Sequence, residues 1–156
     1  MQVSSFEQVY EAEFGDLVRL AAAVTGSAAV AEDVVQDAFA RLYGRFSSVD
    51  EPRAYLRRSV VNGCVSRFRK HRREDLVAVP EEGPPSGDGA DASERLDLET
   101  RLDALTARQR AVVVLRVQYG QPESEVANLL GCRPGTVGSL LHRALATLRI
   151  QMEEQP

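Results

Sequence analysis

The sequence predicts an all-α protein: two small helical domains joined by a flexible acidic linker, the second ending in a helix-turn-helix. Three observations carry this. Apolar residues recur at three- and four-residue steps through most of the 156 residues, with no strand-like alternation. Residues 74–93 (EDLVAVPEEGPPSGDGADAS) hold three of the seven prolines, three glycines and a run of carboxylates, too little apolar surface to order themselves. Residues 123–148 (ESEVANLLGCRPGTVGSLLHRALATL) have the layout of two helices crossing at a tight turn.

The first predicted helix spans 5–25, with Phe6, Val9, Tyr10, Leu17, Val18, Ala21 and Val24 on one side and Gly26 as its stop. The second runs from Ser27 to about Tyr43. Val30, Val34, Val35, Ala38, Phe39 and Leu42 form its buried stripe, and Asp33, Gln36, Asp37 and Ala40 the opposite one. An acidic face repels phosphate, so it should meet protein or water. Residues 44–52 (GRFSSVDEP) read as a loop, in which Phe46 and Val49 either tuck into the core or stack on a base, with tucking favoured.

The third helix, Arg53 to Arg73, buries Val60, Val61, Cys64, Val65 and Phe68 and carries Arg58, Asn62, Ser66, Arg69, Lys70 and Arg73 on another face. Cations in a row neutralise phosphates, and an Asn among them can hydrogen-bond base edges. After the linker, Leu96, Leu98, Leu102 and Leu105 mark a fourth helix. Thr106-Ala-Arg-Gln109 is a capping box for a fifth, packed by Val112, Val113, Leu115 and Val117 and ended by Gly120. In the final pair Ala127 is small where the helices cross, and Gly131 suits the turn. Val126, Leu130 and Val137 hold the two together, and Pro134 suits a helix start. The second helix of the pair then presents Arg133, Thr136, Ser139, His142 and Arg143 outward, as a recognition helix does in a major groove. Met152 and the acidic tail are expected to fray.

The formal net charge of −4 hides an alternation. Residues 1–50 carry a net −5, 51–73 a net +7 (8 basic side chains and 1 acidic), 74–99 a net −8 and 100–152 a net +4. Basic blocks can serve nucleic acid inside an acidic chain. No apolar run approaches the roughly 20 residues of a membrane helix, and no signal peptide is expected. Cys64 and Cys132 lie in helical patterns without neighbouring ligands, which reads as reduced core thiols in a cytoplasmic protein, not a metal site. No catalytic constellation stands out: Asp33 and Asp37 share a face without a histidine, and His71 and His142 lack partners. No cofactor is expected.

The order of these elements resembles the extracytoplasmic-function sigma factors, compact initiation factors of bacterial RNA polymerase in the sigma-70 family. AEDVVQDAFARLY (31–43) and PRAYLRRSVVNGCVSRFRKHRR (52–73) look like the family's second region, and LTARQRAVVVLR (105–116) and EVANLLGCRPGTVGSLLHRALATLR (125–149) like its fourth. The resemblance implies a region 2 domain over 1–73, a linker over 74–93 and a region 4 domain over 94–152. The protein would be no enzyme but would give core polymerase promoter recognition and strand opening. Asp33, Gln36, Asp37 and Arg41 would meet the β′ clamp helices. Phe46, Ser47, Ser48 and Val49 would capture a flipped base of the minus-ten element, with Arg58, Asn62, Ser66, Arg69, Lys70 and Arg73 along the single strand. The last domain would grip the β flap and read the minus-thirty-five element through Arg133, Thr136, Ser139, His142 and Arg143, while the linker passes near the RNA exit path. An anti-sigma factor is a common partner in such a family. The chain departs from the family at Gly138 and Leu140, where basic residues are usual, at Gln121-Pro122 and at Phe68. The first two keep a second reading open: a sigma-like interaction protein that binds polymerase or a regulator without reading a minus-thirty-five box.

Overall fold

Capping chemistry fixes the helix ends. The computed structural model describes residues 5–75 and 90–153, with side chains over 5–70 and 97–149. Helix α1 (Phe6–Thr25) starts on a reciprocal capping box: the Ser5 hydroxyl accepts from Gln8 N–H, and the Gln8 side chain accepts from Ser5 N–H. It stops at Gly26, whose φ of 73° lies in the left-handed region. Helix α2 (Ala28–Arg45) is capped by the Ser27 hydroxyl and leads into a single 3₁₀ turn, Phe46–Ser48. Helix α3 (Pro52–Asp75) begins on proline, whose missing N–H is no loss in a first turn. The three pack around Leu20, Ala21, Val24, Val35, Phe39, Leu42, Leu56, Val60, Val61 and Cys64, all 4% exposed or less.

The second group comprises α4 (Ala90–Asp103), α5 (Ala107–Val113), α6 (Glu123–Leu130) and α7 (Pro134–Glu153). Thr106 and Gln109 form the expected capping box at α5. Gly131, at φ 65°, turns the chain from α6 into α7, and Ala127 and Val137 are buried where the two meet.

Four details differ from expectation. Helix α4 starts at Ala90, inside the segment read as linker, while residues 76–89 lie outside the described ones. Helix α7 runs through to Glu153 and so takes in Met152, where the sequence suggested fraying. Leu98, expected to pack, is 56% exposed, and the Leu96 side chain is outside the described ones. Val117 is 63% exposed, and Val114 is buried in its place. The reason is that α5 continues as a π-helical turn over Val114–Gln118. A π turn adds a residue to the repeat, so an inward face extrapolated at α-helical spacing points outward beyond it.

The two groups share one apolar core. Ala107, Ala111, Val112, Val126 and Leu130 belong to the same cluster as Val24, Val61, Val65 and Phe68. Helix α3 packs on α5 and α6, and α1 touches α5. At this seam Arg110, fully buried, donates to the Ala23 carbonyl, to Asp103 Oδ1 and to Glu99 Oε2, with its guanidinium 5.7 Å from the Phe68 ring centre. Among the described residues no helix is long and apolar enough to cross a membrane.

Candidate nucleic-acid interface

The face of α3 opposite its buried stripe holds Arg58, Asn62, Ser66, Arg69 and Lys70, all exposed. Helical spacing alone aligns them: 58, 62, 66 and 70 follow four-residue steps. All five line or border the seam with the second group. A cleft of about 610 Å³ is lined by Asn62, Val65, Ser66, Arg69 and Lys70 on α3, facing Arg108 and Leu130. Arg58 Nη2 donates to Asn128 Oδ1 on α6 at 2.9 Å. The cleft therefore gathers three cations, an amide and a hydroxyl over an apolar floor, which suits a sugar-phosphate chain with stacked or splayed bases. Arg73 lies on α3, with its side chain outside the described ones. Arg108 and Asn128 were not singled out from sequence, because nothing in their local pattern shows that α3 lies opposite.

The turn after α2 places its four candidates unequally. Phe46 is half-buried, its ring edge-on to Phe6 with 5.8 Å between centroids, and Val49 is half-buried too. Both tuck toward the core. Ser47 and Ser48 are exposed, and the Ser48 hydroxyl donates to the Arg45 carbonyl at 2.9 Å. The serines thus form the outer rim of this turn, over an aromatic base.

The acidic face of α2 is partly neutralised from within. Asp33, Gln36, Asp37 and Arg41 are all exposed, but Arg67 of α3 reaches across to both carboxylates, Nη1 to Asp33 at 2.5 Å and Nη2 to Asp37 at 2.8 Å. The hydrogen bond to Asp33 is the main reason that the Arg67 guanidinium holds its proton even more firmly than usual. Gln36 Nε2 donates to Tyr10 Oη at 3.3 Å. Nothing local in sequence marks Arg67, because its partners lie 34 and 30 residues away on α2.

On the helix-turn-helix, Arg133, Ser139, His142 and Arg143 are exposed and Thr136 is half-buried. The Ser139 hydroxyl donates to the Gly135 carbonyl at 3.1 Å, leaving its lone pairs outward. Val137 and Ala144 are buried and Leu140 and Leu141 half-buried against the core, so the outward stripe is sharply defined. Among the described residues no group of His, Cys, Asp and Glu could hold a metal ion.

Residues 9–74 match the family described as Sigma-70 region 2, and residues 95–148 match Sigma-70, region 4. An RNA polymerase sigma-E factor of Streptomyces coelicolor is 37% identical, the match covering 97% of this chain and 88% of the relative. An ECF RNA polymerase sigma factor, SigL of Mycobacterium tuberculosis, is 31% identical over 94% of this chain and 88% of its own length. In fold, the chain is similar to the sigma factor RpoE of Bartonella quintana, solved in complex with the anti-sigma factor NepR. That likeness has a TM-score of 0.68 at 24% identity and covers 99% of this chain and 100% of the other.

Proposed function

The chain belongs to the extracytoplasmic-function RNA polymerase sigma factors of the sigma-70 family, and from that premise we propose how its surfaces divide the work of promoter recognition. It is an initiation factor for transcription. It lends specificity to core polymerase and performs no bond-making step of its own, and it works in the cytoplasm, where polymerase and chromosome are.

Residues 1–73 act as the minus-ten and polymerase-binding unit. The α2 face with Asp33, Gln36, Asp37 and Arg41 docks on the β′ clamp helices. The Ser47–Ser48 rim over Phe46 and Val49 receives a base turned out of the duplex, whose lost stacking of a few kcal/mol must be offset by contacts nearby. Asn62 and Ser66 hydrogen-bond base or sugar, and Arg58, Arg69, Lys70 and Arg73 follow the phosphates. Residues 94–152 grip the β flap and read the minus-thirty-five element through Arg133, Thr136, Ser139, His142 and Arg143. An anti-sigma factor is a fitting regulatory partner.

The observation that carries this reading is the cleft in which Asn62, Ser66, Arg69 and Lys70 stand together on one exposed face. In run-off transcription with bacterial core polymerase, the chain is expected to give promoter-dependent product. Asn62→Ala combined with Arg69→Ala should abolish that product without weakening association with core. Loss of core binding in the same variant, or no product from any genomic template with the parent chain, would overturn the assignment.

A further inference from the structure

Glu123 opens α6, and its carboxylate lies over Gly138 on α7. A Cβ built at Gly138 would stand 2.7 Å from Glu123 Oε1, closer than real Cβ atoms approach an oxygen. The carboxylate thus occupies the room that a side chain at 138 would need. Glu123 is exposed, and it has no hydrogen-bond or ion-pair partner among the described residues. Position 138 sits one turn before His142 and one turn after Pro134, about 100° around the helix from Ser139 and half-buried, at the edge of the outward face of α7. A bare acceptor therefore borders a face otherwise made of donors and hydroxyls.

An ionised carboxylate accepts hydrogen bonds and cannot donate them. Phosphate oxygens offer it nothing. On the floor of a major groove its partners are the exocyclic amino groups, and cytosine N4 is the usual one for Glu. We propose that Glu123 is a base-reading residue: with α7 in the groove, its carboxylate accepts from cytosine N4 at the base pair facing Gly138, and glycine at 138 keeps that place open. The inference rests on the reading of α7 as the minus-thirty-five helix. It adds a specificity residue from the neighbouring helix, at a position where α7 itself carries no side chain.

The test is selection of promoter fragments, randomised across the upstream box, by holoenzyme rebuilt from core polymerase and the full chain. The parent is expected to enrich cytosine at one position. Glu123→Ala should lose about tenfold of that preference and leave the other positions alone, the size expected for one good base contact. Glu123→Gln should move the same position toward adenine, whose N6 and N7 suit an amide. Gly138→Ala, which displaces the carboxylate, should weaken the same position.

An unchanged profile in Glu123→Ala would overturn the proposal. A uniform gain of binding on every sequence would also do so, since the carboxylate would then only be repelling phosphate. Arg143→Ala separates the two levels. If it alters the profile while Glu123→Ala does not, α7 reads DNA and Glu123 does not. If neither variant alters it and the parent shows no upstream preference, the reading of α7 falls and this inference with it.

Discussion

Arg110 Nε donates to the Ala23 carbonyl oxygen at 3.1 Å, tying α5 to the last turn of α1 across 87 residues of sequence. The last turn of a helix leaves carbonyls without partners and carries partial negative charge. Helix α1 has no basic residue of its own there, and Arg110 supplies one from the other half of the chain. Its two remaining nitrogens are held by Asp103 at 2.9 Å and Glu99 at 2.7 Å. Both acids keep substantial contact with solvent (60% and 43% exposed), so the clasp is only half desolvated and can open without stranding them.

Arg110→Met keeps most of the buried volume and removes all three hydrogen bonds. The Ala23 carbonyl is then left unpaired at the seam. The expected loss is about 2–3 kcal/mol in urea unfolding, below the 3–5 typical of fully buried pairs because the two acids can rehydrate. Dyes placed at exposed positions of α2 and α7 should report a longer mean separation in the variant. An unchanged distance with reduced stability would mean that the apolar seam holds the halves together without the clasp.

Gly63 lies inside α3, where α2 crosses it. A Cβ at that position would stand 2.9 Å from Val34 Cγ1, and valine in a helix has little freedom to turn away. Gly63→Ala raises helix propensity by about 1 kcal/mol, yet it is expected to destabilise by about 1–3 kcal/mol through overpacking. Pairing it with Val34→Ala should recover part of that loss. A stabilised single variant in thermal unfolding would contradict the close crossing.

Burial pushes the Cys64 thiol up to about 12, while Cys132 is only half-buried. Native protein at neutral pH should therefore lose Cys132 to a thiol reagent quickly and retain Cys64 until it unfolds. The linkage has a definite sign. A thiol whose proton is held more firmly in the fold contributes stability that is intact below its ordinary value of 9.0 and is lost as pH climbs toward 12. The slope for this one proton is at most about 1.4 kcal/mol per pH unit. Comparing the alkaline stability curves of parent and Cys64→Ala isolates it from the tyrosines.

Both helical groups and the helix-turn-helix were legible in the sequence because their signals are local. Gly26, Thr106 with Gln109, Gly131 and Pro134 each act within one turn of themselves, and all sit where spacing put them. What sequence could not show depends on contacts between elements. Nothing near Arg110 predicts a fully buried guanidinium, and nothing near Arg67 predicts that it spans Asp33 and Asp37. Val117 failed for a different reason, since a π turn breaks the period on which its burial was inferred. The cleft shows the same division: Asn62, Ser66, Arg69 and Lys70 followed from helical spacing, while Arg108 and Leu130 across from them required the packing of α3 on α5 and α6.

The ion pairs of Arg67 are exposed enough that solvent screening leaves them little weight in folding. Arg67→Ala is expected to change stability by less than about 1 kcal/mol. It frees the Asp33 and Asp37 carboxylates, which should alter affinity for core polymerase and its salt dependence more than it alters the unfolding curve. If Asp33→Asn with Asp37→Asn leaves core affinity untouched, that face of α2 is not where polymerase docks.

Charge on α3 gives the most direct check on the cleft. Each cation that neutralises a phosphate releases counterions, so the logarithm of affinity falls with the logarithm of salt by about 0.7 for each contact to a single strand. Arg69→Ala and Lys70→Ala should each reduce that slope by about this amount when holoenzyme binds a pre-melted promoter, with core polymerase supplying a constant background. Asn62 is neutral and makes no such contribution. Asn62→Ala should leave the slope unchanged and shift base preference in the minus-ten element instead. Equal slopes for the parent and both cation variants would place the strand somewhere other than the α3 face.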